Sequence, residues 1–382
     1  MSAETILPET SNHKEVAADQ VEMISWSTAR KVAAGIAARS SLDSVQFEQL
    51  RSDFNELVPI AERLVLQHTG LEPPTVPANP AVVGRAEWVL ANTNSFEKLL
   101  NPFFSKLNEG RGQLAIPGGG PFARLGRTLT GTEVGALLGW MSSRVLGQYD
   151  VIFGALEERD QDGAESGDVL FVGPNIVEVE RRNGFPPRQF RLWIALHELT
   201  HRAQFTGVPW MRSYFMSLVE DAVSTSMPES GQIFEAAKRA MSTLGSKGKS
   251  SFSEAGVLGL FMDEPQRAVF SKVQGLMSLL EGHGDIVMDK AGADLIPLAP
   301  HFSRVLAERR KKSSGVAKLI MQAVGLDAKL RQYAEGERFI HFVHEAGGKE
   351  LFDLVWQGPE RLPDSSEIAD PAKWVERMKQ SA

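Results

Sequence analysis

The chain of 382 residues contains no cysteine. Disulfides, thiolate metal sites, iron–sulfur clusters and cysteine nucleophiles are thereby excluded, and histidine and carboxylates are left as the good ligands for zinc. A basic excess is also lacking, since 41 lysines and arginines stand against 48 aspartates and glutamates, for a formal charge of −7. Without a broad positive field to neutralise phosphates, nucleic acid is not expected as a main partner. No apolar run approaches the roughly 18 residues that span a membrane, and the polar, acidic start has neither the basic residues nor the apolar stretch of a secretory signal. A cytoplasmic protein without membrane association is expected. What is present, 42% hydrophobic and 23% charged residues, suits a globular chain that buries one large core or two modest ones.

Periodicity predicts a mainly helical protein with a small β-sheet, an α+β arrangement. Residues 1–24 read as a flexible leader, 25–160 as a helical N-terminal portion, 161–358 as the portion bearing the chemistry, and 359–382 as a C-terminal tail. Ala29, Val32, Ala33 and Ile36 recur at helical spacing, as do Phe47, Leu50, Phe54 and Leu57. Pro73, Pro74, Pro77 and Pro80 mark an extended connection. Ile116–Phe122, three glycines flanked by prolines, is expected to be loop; with no Lys-Ser/Thr following, it does not fit a phosphate-binding P-loop. The stretch from Thr132 to Gly147 reads as a helix whose small residues let another helix pack closely. Asp168–Glu180 alternates like a strand, and Gly173-Pro174 within it argues for an edge or a bulge. Helices are further expected from Arg188 to Phe205, Ser213 to Glu229, Pro265 to Lys290, Gly315 to Glu335 and Glu337 to His344, with Thr243–Ser253 a loop.

The chemistry concentrates in Ala195-Leu196-His197-Glu198-Leu199-Thr200-His201. H-E-x-x-H on a helix puts two imidazoles four residues apart on one face, where both reach one metal, and places the intervening carboxylate as general base for the water that attacks a carbonyl. A third ligand must come from elsewhere, because Gln204 and Gly207 stand where the metzincin pattern needs glycine and histidine. Leu280-Glu281-Gly282-His283-Gly284-Asp285 offers the candidates. Glu281 and Asp285 share a helical stripe with Met277 and Met288, beside an apolar stripe of Val269, Val273, Leu276, Leu280 and Val287. A buried pair of carboxylates there wants a cation. His283, two residues from Glu281, points about 200° around the helix and is the rival ligand.

His197 to His201 followed by Glu281-x-x-x-Asp285 resembles the gluzincin arrangement of thermolysin-like peptidases. The resemblance implies Glu281 as third zinc ligand and Asp285 as the partner of a ligand histidine; for His283, a role in supporting the ligands or in meeting the substrate stays open. The 80 residues between His201 and Glu281 exceed the thermolysin spacing, so the intervening fold must differ. Gluzincins supply an oxyanion-stabilising Tyr or His beyond the third ligand, which here points to Tyr333, with His341 and His344 as alternatives; their sheets align an extended peptide, a role open to the strand near Phe171. More of the chain, including Leu146–Asp150, Phe171–Asn175, Leu280–Asp289 and the Gln332-Tyr333 to Gly336-Glu337 stretch, resembles an uncharacterised zincin-like family of actinobacterial hydrolases or zinc-dependent metalloproteases, some labelled for deazaflavin coenzyme biosynthesis. Together these imply a zincin-like half packed on the helical N-terminal portion, with Zn2+ as cofactor and a peptide or small amide as substrate. Two other readings use the same residues: a zinc amidohydrolase of a small metabolite, which would enclose the metal in an apolar pocket, and a catalytically silent scaffold holding a structural zinc.

Overall fold

The computed structural model describes residues 24–37, 42–110, 121–149, 168–226, 264–311 and 326–381. The expected leader up to residue 23, the loop over Thr243–Ser253 and most of the glycine-rich Ile116–Phe122 segment lie outside them. The described chain is mainly helical with one three-stranded sheet.

In chain order come α1 (Trp26–Ala37), α2 (Ser44–Thr69), β1 (Asn79–Val83), α3 (Arg85–Gly110), α4 (Pro121–Ser142), β2 (Gly147–Tyr149) and β3 (Asp168–Val172). They are followed by α5 (Gly173–Asn183), α6 (Pro187–Thr206), α7 (Met211–Ser226), α8 (Glu264–Gly292), α9 (Ala299–Lys311), α10 (Leu326–Phe352), α11 (Ser365–Ala369) and α12 (Pro371–Gln380). Asp43 opens α2 with a capping box shared with Gln46, and Gly70 closes it at φ 67°, a conformation that costs glycine no Cβ clash. Leu50, Phe54, Leu57, Val58, Ala61 and Val65 form the buried stripe of α2, and Phe54 stacks on Phe171 of β3 at 3.8 Å between ring centroids.

Several expectations need correction. The strand expected over Asp168–Glu180 ends at Val172, and Gly173-Pro174 begins α5 instead of interrupting a strand. Proline lacks the N–H that a ladder needs but that the first helical turn leaves unused, and the buried residues beyond it follow a helix. Nor is β3 an edge: β1 pairs with it in parallel and β2 antiparallel, in the order β1-β3-β2. The proline-rich connection contains β1, with Pro80 tolerated because that strand is an edge. Lastly, α4 already begins at Pro121, within the expected loop, and Glu337–His344 continues a helix that starts at Leu326.

Glycines govern two helix crossings. The small-residue face of α4 meets α1, where a Cβ on Gly135 would stand 2.5 Å from the Ala29 carbonyl oxygen and one on Gly131 would stand 2.5 Å from that of Ser25. On α8 and α10, Cβ atoms on Gly282 and Gly336 would overlap the facing backbone at Gly336-Glu337 and at the Ser278 carbonyl. The α10 backbone is thereby brought onto the segment that carries Glu281.

Two buried arginines tie α6 to its surroundings. Arg191 donates to both oxygens of Glu180, at 2.8 Å each, and to Asp53 of α2. Arg202 donates to Glu62 of α2 at 2.6 Å and to the Val76 carbonyl. Eleven residues make three turns, so both arginines project from one face of α6, turned away from the imidazoles by roughly 100°. The tail is docked, with Trp374 fully buried. No described helix is long and apolar enough to cross a membrane.

Candidate metal centre

His197 and His201 project from α6 with their Nε2 atoms 3.2 Å apart, and Glu281 of α8 places Oε2 at 3.8 Å from the first and 3.7 Å from the second. Ligands at about 2.0–2.1 Å from a tetrahedral zinc stand about 3.4 Å from one another. The triangle matches that spacing, and two imidazoles with one carboxylate are a donor set that suits zinc. Among the described residues, these three form the His/Cys/Asp/Glu group that can hold a metal ion.

Glu198 is buried and reaches the sheet. The backbone N–H of Tyr149 donates to its Oε2 at 3.2 Å. A Cβ on Gly147 would come within 2.6 Å of its Cγ and 2.7 Å of its Oε1, so the strand passes this close to the carboxylate only because residue 147 is glycine. Leu146 and Gln148 face β3, the first accepting from the Val172 N–H at 2.8 Å; Gly147 and Tyr149 therefore turn their backbone polar groups to the open edge and the site. The Tyr149 hydroxyl accepts from Arg212 at 2.6 Å.

Behind His201 lies a chain of hydrogen bonds centred on Gln204, whose side chain is fully buried. Its Nε2 donates to the Leu280 carbonyl at 3.0 Å and to Nδ1 of His283 at 3.0 Å. This leaves Oε1 to accept from Nδ1 of His201 at 2.9 Å, and the proton held on Nδ1 directs the lone pair of Nε2 toward His197 and Glu281. In sequence Gln204 stands out only as a departure from another family's motif. Its position three residues after His201, on the same side of the helix, was the available signal.

His283 is thus placed behind the site, packed edge-on against Trp356 at 5.1 Å, while Glu281 faces the two imidazoles. Asp285 lines the cleft one turn beyond Glu281, with Met277 and Met288. The Cβ position of Gly284 lies 3.7 Å from Nδ1 of His197, so the backbone before Asp285 backs that ring. Tyr333 is on α10, three residues before the Gly336 crossing, but its side chain lies outside the described residues. His341 is exposed beside Glu337 and His344 stacks on Phe352; neither lines the cleft.

The electrostatics separate His201 from the buried His283. Burial disfavours a charged His201 ring, but the hydrogen bond and charge of Glu281, with Glu198 nearby, overcome it and raise its pKa to about 9. For His283, burial is joined by the repulsion of His201 and lowers the pKa to about 3. The Glu281 and Glu198 carboxylates beside His201 make this a place that favours positive charge, where a cation would compete with a proton on the ring.

Comparison with known proteins places the chain in a family. A crystal structure from Chloroflexus aurantiacus, described as a candidate hydrolase with a novel fold, matches with a TM-score of 0.66 and 30% identity, covering 93% of this chain and 99% of that one. No curated protein matches the chain. The family model for zincin-like metallopeptidases matches residues 24–375, nearly the full length. The chain belongs to the zincin-like metallopeptidase family.

Proposed function

We propose that the protein is a zinc-dependent hydrolase that cleaves an amide bond as a metallopeptidase. His197, His201 and Glu281 hold the ion, and the observation carrying the reading is the match of their spacing to a tetrahedral centre with Glu198 beside it. Zinc, when bound, polarises the scissile carbonyl and lowers the pKa of water to about 7.

Glu198 accepts the proton of the attacking water and delivers it to the leaving nitrogen. The Tyr149 N–H holds one carboxylate oxygen, fixing the direction of the other, and Gly147 keeps the strand clear of it. Gln204 sets the tautomer of His201. Asp285 is assigned to the orientation of His197, since the outer nitrogen of His201 is already held. Tyr333 is assigned to the developing oxyanion because it precedes by one turn the point where its helix crosses α8 beside Glu281. The outward polar groups of β2 suit an extended peptide backbone, a role that passes to β2 because β3 is the central strand.

A small-molecule amidohydrolase is the second reading, favoured by the apolar lining of the cleft beside the metal centre. Both share the metal and the base. The test is elemental analysis of the wild-type protein with Glu281→Ala and His283→Ala, followed by a peptide and N-acyl amide panel. One zinc per chain, lost with Glu281→Ala and retained with His283→Ala, is expected, together with hydrolysis abolished by Glu198→Gln. Wild-type protein that binds no zinc on titration would overturn the proposal.

A further inference from the structure

The metal centre opens into a cleft of about 820 Å³ whose far wall belongs to the N-terminal helices. From α3 come Trp88, Asn92, Phe96 and Leu100, one residue per turn along a single face. Val134, Leu137, Leu138 and Met141 of α4 form a second stripe at helical spacing, and Trp26 of α1 completes the wall. Among the described lining residues these helices contribute no charged side chain. Apart from the indole N–H groups of Trp26 and Trp88, their polar group is Asn92, which exchanges two hydrogen bonds with Gln148 of β2, at 3.0 and 3.3 Å, and donates to the Trp88 carbonyl.

Close-packed interiors leave few voids larger than a water molecule, and lining atoms without neighbours lose their dispersion contacts. The α1–α4 crossing is not loosely built, since Gly131, Gly135 and Gly139 bring the two backbones together. Two apolar stripes facing empty space beside a well-packed crossing mark a binding volume, and this one lies within the size range of small-molecule pockets.

We infer that this cleft receives a large, uncharged apolar group of the substrate, an acyl chain or aromatic group attached to the scissile amide, and that this group is the main determinant of specificity. The inference rests on the hydrolase reading above. The metal centre positions the carbonyl, while Phe96, Leu100, Leu137 and Met141 select what is attached to it. A short substituent leaves the apolar wall wet, and a charged one loses its hydration against α3 and α4, where the cleft's cation, Arg144, stands beyond the end of α4.

The probes are acetohydroxamate and octanohydroxamate, which share one metal-binding head and differ by six methylenes, titrated calorimetrically into zinc-loaded protein. Each buried methylene strengthens binding by about fourfold, so a gain of at least about 100-fold is expected for the longer probe even with incomplete burial. Leu100→Trp on α3 and Leu137→Trp on α4, which fill the cleft from different walls, are expected to cut that gain at least about tenfold, with zinc content and acetohydroxamate affinity unchanged. Equal affinity of the two probes for the wild type, or a gain untouched by both substitutions, overturns the inference while leaving the metal centre intact. If either variant does not fold, the chain-length series on the wild type still decides. Protein that takes up no zinc, or that binds acetohydroxamate equally without it, sinks the hydrolase reading, and the inference falls with it.

Discussion

Gln204 performs three tasks through one amide: it holds His201, the Leu280 carbonyl and His283. Groups that orient a metal ligand typically contribute 10–100-fold to metal affinity. Gln204→Leu is therefore expected to weaken zinc binding by about 10–100-fold, measured by competition with a chromophoric chelator, while circular dichroism stays unchanged. The histidines on either side of it respond to pH in opposite windows. His283 has a folded pKa of about 3, below the ordinary value of 6.5, so between those values the unfolded chain binds the extra proton and stability falls as pH falls. His201 has a folded pKa of about 9, so between 6.5 and 9 the folded chain holds the extra proton and stability falls as pH rises. Metal-free protein should thus melt highest near pH 6.5. His283→Gln should flatten the acid side, and saturating zinc should remove the alkaline fall by replacing the proton on His201. A melting temperature that keeps rising from pH 6.5 to 9 without metal would contradict the assignment for His201.

At the scale of elements, the site depends on two helices that are far apart in sequence and meet in register. Helix α8 presents Glu281 to α6, and its next residue, Gly282, is where α10 touches it backbone to backbone. A methyl group there must push α10 away or rotate α8, and overpacking of this kind costs about 1–3 kcal/mol. Gly282→Ala is expected to lower stability by that amount in urea unfolding and to weaken zinc binding by at least about tenfold, because the rotation carries Glu281 with it. Unchanged zinc affinity with the stability loss present would show that the crossing supports the fold alone. The helical spacing of Glu281, Asp285, Met277 and Met288 was legible as one stripe, and the cleft is lined by those four residues. The strand-like alternation after Asp168 misled, because Ile176, Val177, Val179 and Glu180 are all buried in a short helix enclosed on several sides, and burial on all faces erases the helical period.

Across the whole molecule, the sheet and α2 join the N-terminal portion to the site helices. β1 and β2 flank β3, and β2 reaches Glu198, so the base is set by a strand about 50 residues upstream. Arg191 anchors α6 through Glu180 and Asp53. Removing one partner of a buried pair leaves the other charge uncompensated, at about 3–5 kcal/mol. Arg191→Met is expected to lower the unfolding free energy by that amount, with a corresponding drop in the urea midpoint, and Arg191→Met combined with Glu180→Leu should recover part of it. A single substitution that costs under about 1 kcal/mol would show that the pair adds little to the anchoring of α6.

The sequence by itself determined the local features: two imidazoles and a carboxylate on one helical face, the single stripe bearing Glu281 and Asp285, and the glycine-bearing face of α4. These follow from a spacing of 3.6 residues per turn and need no partner to be read. The tertiary structure decided everything that depends on which surfaces meet. It set Glu281 rather than His283 against the imidazoles, brought Gln204 behind His201, pressed Gly147 and Tyr149 onto Glu198, and opened the apolar cleft between α3, α4 and the metal centre. Apart from the step from His201 to Gln204 within α6, each of these is a contact across tens to more than a hundred residues, fixed by close packing of non-adjacent elements, and local periodicity carries no information about that register.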